Sequence, residues 1–183
     1  ERAARISAAL KQAAQAIPAQ LPQGAQPNED PVTAAAGMRA GLLHIGYLTT
    51  HAAATSTGHQ SAYLAGRNPQ LSQQVSRTAE RIRGVIRESD TPARIGGDEF
   101  VVLLEMIQDD VDAQTVAEKI RVALNQPFEI VGHGEEHRIA VSACIGIAFY
   151  PEDGTDMIEL SRHADEAMYR AKESGRNAVA FYN

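Results

Sequence analysis

Residues 94–104, Arg-Ile-Gly-Gly-Asp-Glu-Phe-Val-Val-Leu-Leu, constrain the fold of this chain more than any other stretch. Adjacent glycines, Gly96 and Gly97, let a backbone turn tightly and approach a ligand closely. Asp98 and Glu99 follow at once, and Phe100 to Leu104 then form an apolar run of strand length. A tight turn feeding a buried strand predicts a hairpin. Its tip would gather amide donors and two anionic oxygen ligands, a donor set suited to Mg²⁺ and a nucleotide. Taken alone, Gly-Gly-Asp fits an ordinary hairpin turn equally well.

The chain of 183 residues is long enough for one domain with its own core, and the expected organisation is a single domain over 1–183. Apolar content of 44% and charged content of 22% are globular values. A net charge of −6 argues against a nucleic-acid polymer as partner. Cys144 is the single cysteine, so no intrachain disulfide can form, and a reducing, cytoplasmic setting is expected. No apolar run approaches the roughly 20 residues of a membrane span, so no membrane contact by this segment is expected. The chain starts at Glu1 without a signal-like segment and reads as a piece of a longer protein.

Periodicity organises the remainder. Residues 4–16 read as an Ala-rich helix, and the Pro-, Gln- and Gly-rich residues 17–39 as a flexible insertion. Leu42 to Leu48 is an expected strand. Leu71 to Arg87 is an expected helix with Leu71, Val75, Ile82 and Ile86 inward. Val111 to Leu124 is a second such helix. Phe128–Val131 and Arg138–Tyr150 read as one hairpin turning at Gly132-His133-Gly134. Met157 to Lys172 is a helix stopped by Gly175, and Val179 to Tyr182 a last strand. This order predicts a mixed α/β fold, a mainly antiparallel central sheet with flanking helices.

Several segments together resemble the GGDEF family, the diguanylate cyclase domains that join two GTP into cyclic di-GMP. Arg94 to Leu104 carries the signature. Arg87-Glu88-Ser89-Asp90 precedes it at the spacing of the family's RxxD product-inhibition motif. IAVSACIGIAFY (139–150), PEDG (151–154) and ADEAMYRAKESGRN (164–177) match its C-terminal half. The resemblance is specific from about Ser76 to Tyr182 and faint upstream. It implies catalytic and metal roles for Asp98 and Glu99, with Gly96 and Gly97, and Mg²⁺ as cofactor when GTP is bound. It implies cyclic di-GMP binding by Arg87 and Asp90, with Lys119 near a position where the family often places a further cation. It implies phosphate binding by Lys172 and Arg176. Such domains often adjoin a sensory domain or a cyclic di-GMP phosphodiesterase (EAL) domain, and a homodimer is the arrangement that joins two GTP.

One half of the family's site is missing. The family carries a metal-binding aspartate at the end of the first strand, then an asparagine and an aspartate that read guanine. If Gly58-His59 is the family's Gly-His pair, those three positions hold Gly46, Ala54 and Tyr63. Independently of register, no Asp or Glu occurs from Pro31 to Ala79. His44, His51 and His59 lie in that region, but imidazole is a poor Mg²⁺ ligand, and they read as solvated or half-buried. The chain is therefore expected to be a degenerate GGDEF domain, a regulatory cyclic di-GMP or GTP binder with little or no cyclase activity. An active cyclase and a ligand-free dimerisation or docking module are the alternatives.

Overall fold

A computed structural model of the chain describes residues 39–49, 69–96, 98–132 and 135–183. The expected helix over 4–16, all but the last residue of the insertion over 17–39, the Gly58-His59 pair, Gly97 and the turn residues 133–134 lie outside the described residues.

Among the described residues, seven strands and three helices follow in the order β1 (Ala40–Thr49), α1 (Pro69–Arg83), β2 (Thr91–Gly96), β3 (Glu99–Leu104), α2 (Asp110–Asn125), β4 (Phe128–Gly132), β5 (Glu135–Ile139), β6 (Val141–Tyr150), α3 (Met157–Glu173) and β7 (Val179–Phe181). Five strands form the central sheet in the order β2-β3-β1-β6-β7. Its pairings are antiparallel except β6–β7, which is parallel. The expected mixed, mainly antiparallel architecture with flanking helices is the one observed.

The sheet is covered on both faces, which explains the largely hydrophobic runs of β1, β3 and β6. Alternate residues of a strand point to opposite faces. Leu43, Ile45, Phe100, Val102 and Leu104 therefore join Ile120, Leu124 and Phe128 in one core. Leu42, Val101, Leu103 and Ala148 join Leu160 and Ala164 of α3 in the other. Helix α3 places Leu160, Ala164, Ala167, Met168 and Ala171 on its buried stripe, a spacing of three and four residues. Asp156 caps it, accepting from the Ile158 and Glu159 amides at 2.9 Å each.

Two sequence-based boundaries move. The first described helix ends at Arg83, not Arg87: Gly84 follows, its amide donates to the Glu80 carbonyl, and Val85 closes a tighter turn onto Ile82. Val85 and Ile86 then pack on the core from that turn. The stretch expected as one strand over 138–150 is two. Residues 135–139 pair with β4 in a separate two-stranded sheet, and residues 141–150 enter the central sheet. The break falls at Ala140, between a charged segment and one buried on both faces. Strand β2 is an edge strand of the five-stranded sheet.

Candidate functional site

Gly96 pairs with Glu99 across the β2–β3 hairpin, with a register shift between Arg94 and Gly96. Asp98 is a half-buried turn residue at the tip. Glu99 opens β3 and also faces Gly46 of β1 directly. The signature is thereby laid against the end of the first strand, on the sheet face that α3 covers.

Gly46 sits under that helix. A Cβ built there would lie 2.7 Å from Met168 Sδ and 3.2 Å from both Cε and Nζ of Lys172. The residue opposite the signature glutamate thus carries no carboxylate, and the Lys172 ammonium stands over it. Two residues earlier on the same strand face, His44 is completely buried. Its Nε2 lies 3.9 Å from Glu99 Oε2 and its Nδ1 3.7 Å from Asp165 Oδ1 of α3. The expectation of a solvated or half-buried His44 is corrected: strand alternation turns it inward between two acidic side chains. His51 and His59 lie outside the described residues.

Lys172 belongs to the last turn of α3 and is half-buried, while Arg176 is exposed beyond the helix end. Between and after them the backbone turns left-handed at three successive residues, Gly175 (φ 121°), Arg176 (φ 66°) and Asn177 (φ 47°). Glycine tolerates this freely, whereas arginine needs outside support. That support comes from α2: Arg121 Nη1 donates to Asn177 Oδ1 at 3.0 Å, and its Nε donates to Glu118 at 2.8 Å. Neither Arg121 nor Asp165 was singled out in the sequence. Asp165, Met168 and Lys172 do share a helical face at spacings of three and four, and that signal was available.

Arg87 and Asp90 lie in the turn between α1 and β2, not on a helix. Arg87 is exposed, whereas Asp90 is only 6% exposed. The Asp90 carboxylate accepts from the Arg87 amide at 2.9 Å, and the Asp90 amide donates to the Arg87 carbonyl at 3.0 Å. Burial pushes the Asp90 carboxyl above the ordinary aspartate range, against the opposing pull of amide donors from Arg87 and Glu105. Burial, and secondarily the Asp90 charge, raises Glu105 in turn. Asp90 therefore folds the loop that presents the Arg87 guanidinium. Lys119 is exposed on α2.

Magnesium, implied by the resemblance, finds a poor donor set here. It favours several oxygen ligands, but the residue paired with Glu99 is a glycine with the Lys172 ammonium over it, and the His44 imidazole lies 3.9 Å from Glu99. Among the described residues, no group of three or more His, Cys, Asp and Glu side chains could hold a metal ion.

The diguanylate cyclase GGDEF domain family matches residues 72–178, more than half of the chain. The chain belongs to the GGDEF family. Among similar proteins is the bifunctional diguanylate cyclase/cyclic di-GMP phosphodiesterase MucR of Pseudomonas aeruginosa, 49% identical over 104 residues. That match covers 57% of this chain and 14% of MucR. The diguanylate cyclase TpbB of the same species is 41% identical over 100 residues, covering 55% of this chain and 22% of TpbB. The crystal structure of the TpbB GGDEF domain superposes with a TM-score of 0.64 at 28% identity, over 99% of this chain and 92% of that one. A microbial GGDEF domain solved for its interaction with cyclic di-GMP superposes with a TM-score of 0.57 at 26% identity, covering 82% of each chain. The chain thus spans under a quarter of these two full-length relatives. Among the described residues of this GGDEF domain, no helix is long and apolar enough to cross a membrane.

Proposed function

We propose that this GGDEF domain is a regulatory module of cyclic di-GMP signalling that binds cyclic di-GMP through Arg87 and has little or no cyclase activity. The observation that carries the reading is Gly46 opposite Glu99, with the Lys172 ammonium over the glycine. A cyclase needs divalent metal to activate a 3′ hydroxyl and neutralise phosphate charge. A glycine in the family's aspartate position removes one ligand, and an adjacent ammonium repels the ion.

The RxxD turn supports the binding half of the proposal. The exposed Arg87 guanidinium can take a guanine edge or a phosphate bidentately, and exposed Lys119 can add phosphate neutralisation. A structural relative is a GGDEF domain that interacts with cyclic di-GMP. In the longer protein the module would act on a neighbouring sensory or EAL phosphodiesterase domain in the cytoplasm, alone or as a homodimer. The retained Asp98-Glu99 pair favours a second reading, an active cyclase using GTP and Mg²⁺.

Calorimetric titration with cyclic di-GMP, beside a GTP turnover assay with Mg²⁺ or Mn²⁺, tests both readings. The wild type is expected to bind cyclic di-GMP and to form product at background. Arg87→Ala is expected to weaken binding at least tenfold, about 1.4 kcal/mol, and Lys172→Ala to leave it nearly unchanged. No heat at high micromolar ligand, or wild-type binding by Arg87→Ala, overturns the sensor reading. Robust product formation that Asp98→Ala abolishes establishes the cyclase instead.

A further inference from the structure

We propose that the outer face of α3 is a self-complementary surface that pairs this chain with a second copy of itself, the two helices lying antiparallel about a twofold axis. The inference goes beyond the cyclic di-GMP reading and does not rest on it.

The helix offers one stripe to solvent. Leu160, Ala164, Ala167, Met168 and Ala171 are its buried side. At 3.6 residues per turn, Ile158, Arg162, Glu166 and Tyr169 fall on the opposite side, within an arc of about 80°. All four are exposed, Ile158 at 58% and Tyr169 at 60%. Helices α1 and α2 pack on the other face of the sheet, so neither shields the stripe.

The order of the four residues carries the inference. The midpoint of Arg162 and Glu166 falls at Ala164, and that of Ile158 and Tyr169 falls between His163 and Ala164. The stripe is therefore a palindrome in charge and polarity. A twofold axis over Ala164 sets Arg162 opposite Glu166 of the second copy, and Ile158 opposite Tyr169 of the second copy, each contact made twice. A parallel pairing would set arginine on arginine and glutamate on glutamate. The charges select the antiparallel one, a common packing geometry for helices.

Both charges are open to an outside partner. Opposite charges four apart on a helix can pair with each other. Here the Arg162 guanidinium turns to its neighbour instead, its Nη2 donating to His163 Nε2 at 2.8 Å. His163 Nδ1 donates to the Asp153 carbonyl, which fixes Nε2 as the acceptor. The other donors of Arg162 and the Glu166 carboxylate have no partner among the described residues. Arginine and tyrosine are also the side chains that contribute most often at interface centres. One helix face buries less area than a standard interface, so the dimer is a weak one.

Sedimentation velocity of the wild-type chain without nucleotide, from micromolar to millimolar protein, is the test. A monomer–dimer equilibrium is expected. Glu166→Arg sets arginine against arginine and is expected to weaken dimerisation at least tenfold with an unchanged melting curve. Arg162→Glu sets glutamate against glutamate, with the same effect. An equimolar mixture of the two variants restores opposite charges at both pairs, and a heterodimer within threefold of the wild-type affinity is expected. Tyr169→Ala is expected to weaken dimerisation at least tenfold. Arg162→Glu also gives up the bond to His163; if it fails to fold, Glu166→Arg and Tyr169→Ala, which break no bond within the chain, decide the matter. A wild type that stays monomeric at millimolar concentration overturns the proposal. So does a dimer that survives both Glu166→Arg and Tyr169→Ala, and so does a mixture of folded charge variants that associates no better than either alone. Arg87→Ala leaves the dimer unchanged, so failure of the cyclic di-GMP reading is distinguishable from failure of this one.

Discussion

Gly146→Ala should be among the most damaging single-methyl changes in this domain. Gly146 lies in the middle of β6, where α3 crosses the sheet. A Cβ built there would stand 2.1 Å from the Ala164 carbonyl oxygen, 2.1 Å from the Met168 amide nitrogen and 2.8 Å from the Ala167 carbonyl carbon. All three are backbone atoms of one helix, so no rotamer change relieves the clash. Non-bonded heavy atoms settle at about 3.5–4.0 Å, so the helix must lift by more than an ångström or the strand must bend. Overpacking a core costs about 1–3 kcal/mol, occasionally more, and a rigid backbone obstacle belongs at the upper end. At about 3 kcal/mol, a domain of this size melts roughly 6–12 °C lower. Gly41→Ala is the control: its Cβ would meet only side chains, Ile107 Cδ1 at 3.4 Å and the Phe149 ring at 3.7 Å. It should melt within about 2–4 °C of the wild type, the shift expected for 1 kcal/mol. Thermal unfolding by circular dichroism measures both. Equal melting temperatures for the two variants would show that α3 does not ride on Gly146, and would refute the packing argument. Because α3 carries Asp165, Met168 and Lys172, Gly146→Ala should also loosen the site beside Gly46.

Three further outcomes follow from the same geometry. Asp90 has a raised carboxyl pKa, so its contribution to stability is present below the unfolded value of about 3.9 and is lost as pH rises through the folded value. Asp90→Asn keeps an acceptor for the Arg87 amide, so its melting temperature relative to wild type should increase from about pH 4 toward neutrality; a flat difference contradicts the burial argument. Arg81 donates to the carbonyls of Ala123 (3.0 Å), Gln126 and Pro127 (2.7 Å) and lies 3.6 Å over the Phe128 ring. Arg81→Lys loses the planar fork and should cost about 1–2 kcal/mol in urea denaturation, and a change below about 0.5 kcal/mol would contradict that clamp. Asp156→Ala removes the cap of α3 and should lower stability by about 1 kcal/mol, with Asp156→Ser recovering most of it; equal losses in the two variants would argue against capping.

Much of this fold was legible in the residues because it is local. The helices announce themselves by period, and Gly175 stops α3 with φ +121° as expected of a glycine terminator. The apolar runs of β1 and β3 state that both sheet faces are covered. The signature announces a hairpin, and the absence of acidic residues from 31 to 79 needs no alignment.

What the sequence left undecided depends on partners distant along the chain. Nothing local distinguishes one strand over 138–150 from two; the sheets they join make that choice. Residues 71–87 read as one helix, but it ends at Arg83, Val85 and Ile86 pack on the core from the turn that follows, and Asp90 is buried there. His44 is an unremarkable strand residue until β1 pairs with β3 and α3 settles above it, bringing Glu99 and Asp165 to either side. Gly46 becomes informative only when it faces Glu99 under Lys172, residues 53 and 126 positions further along the chain. Periodicity and turn chemistry are properties of neighbouring residues and survive in the sequence. The electrostatics of the site arise from three elements meeting on one sheet face, and only the tertiary structure brings those charges together.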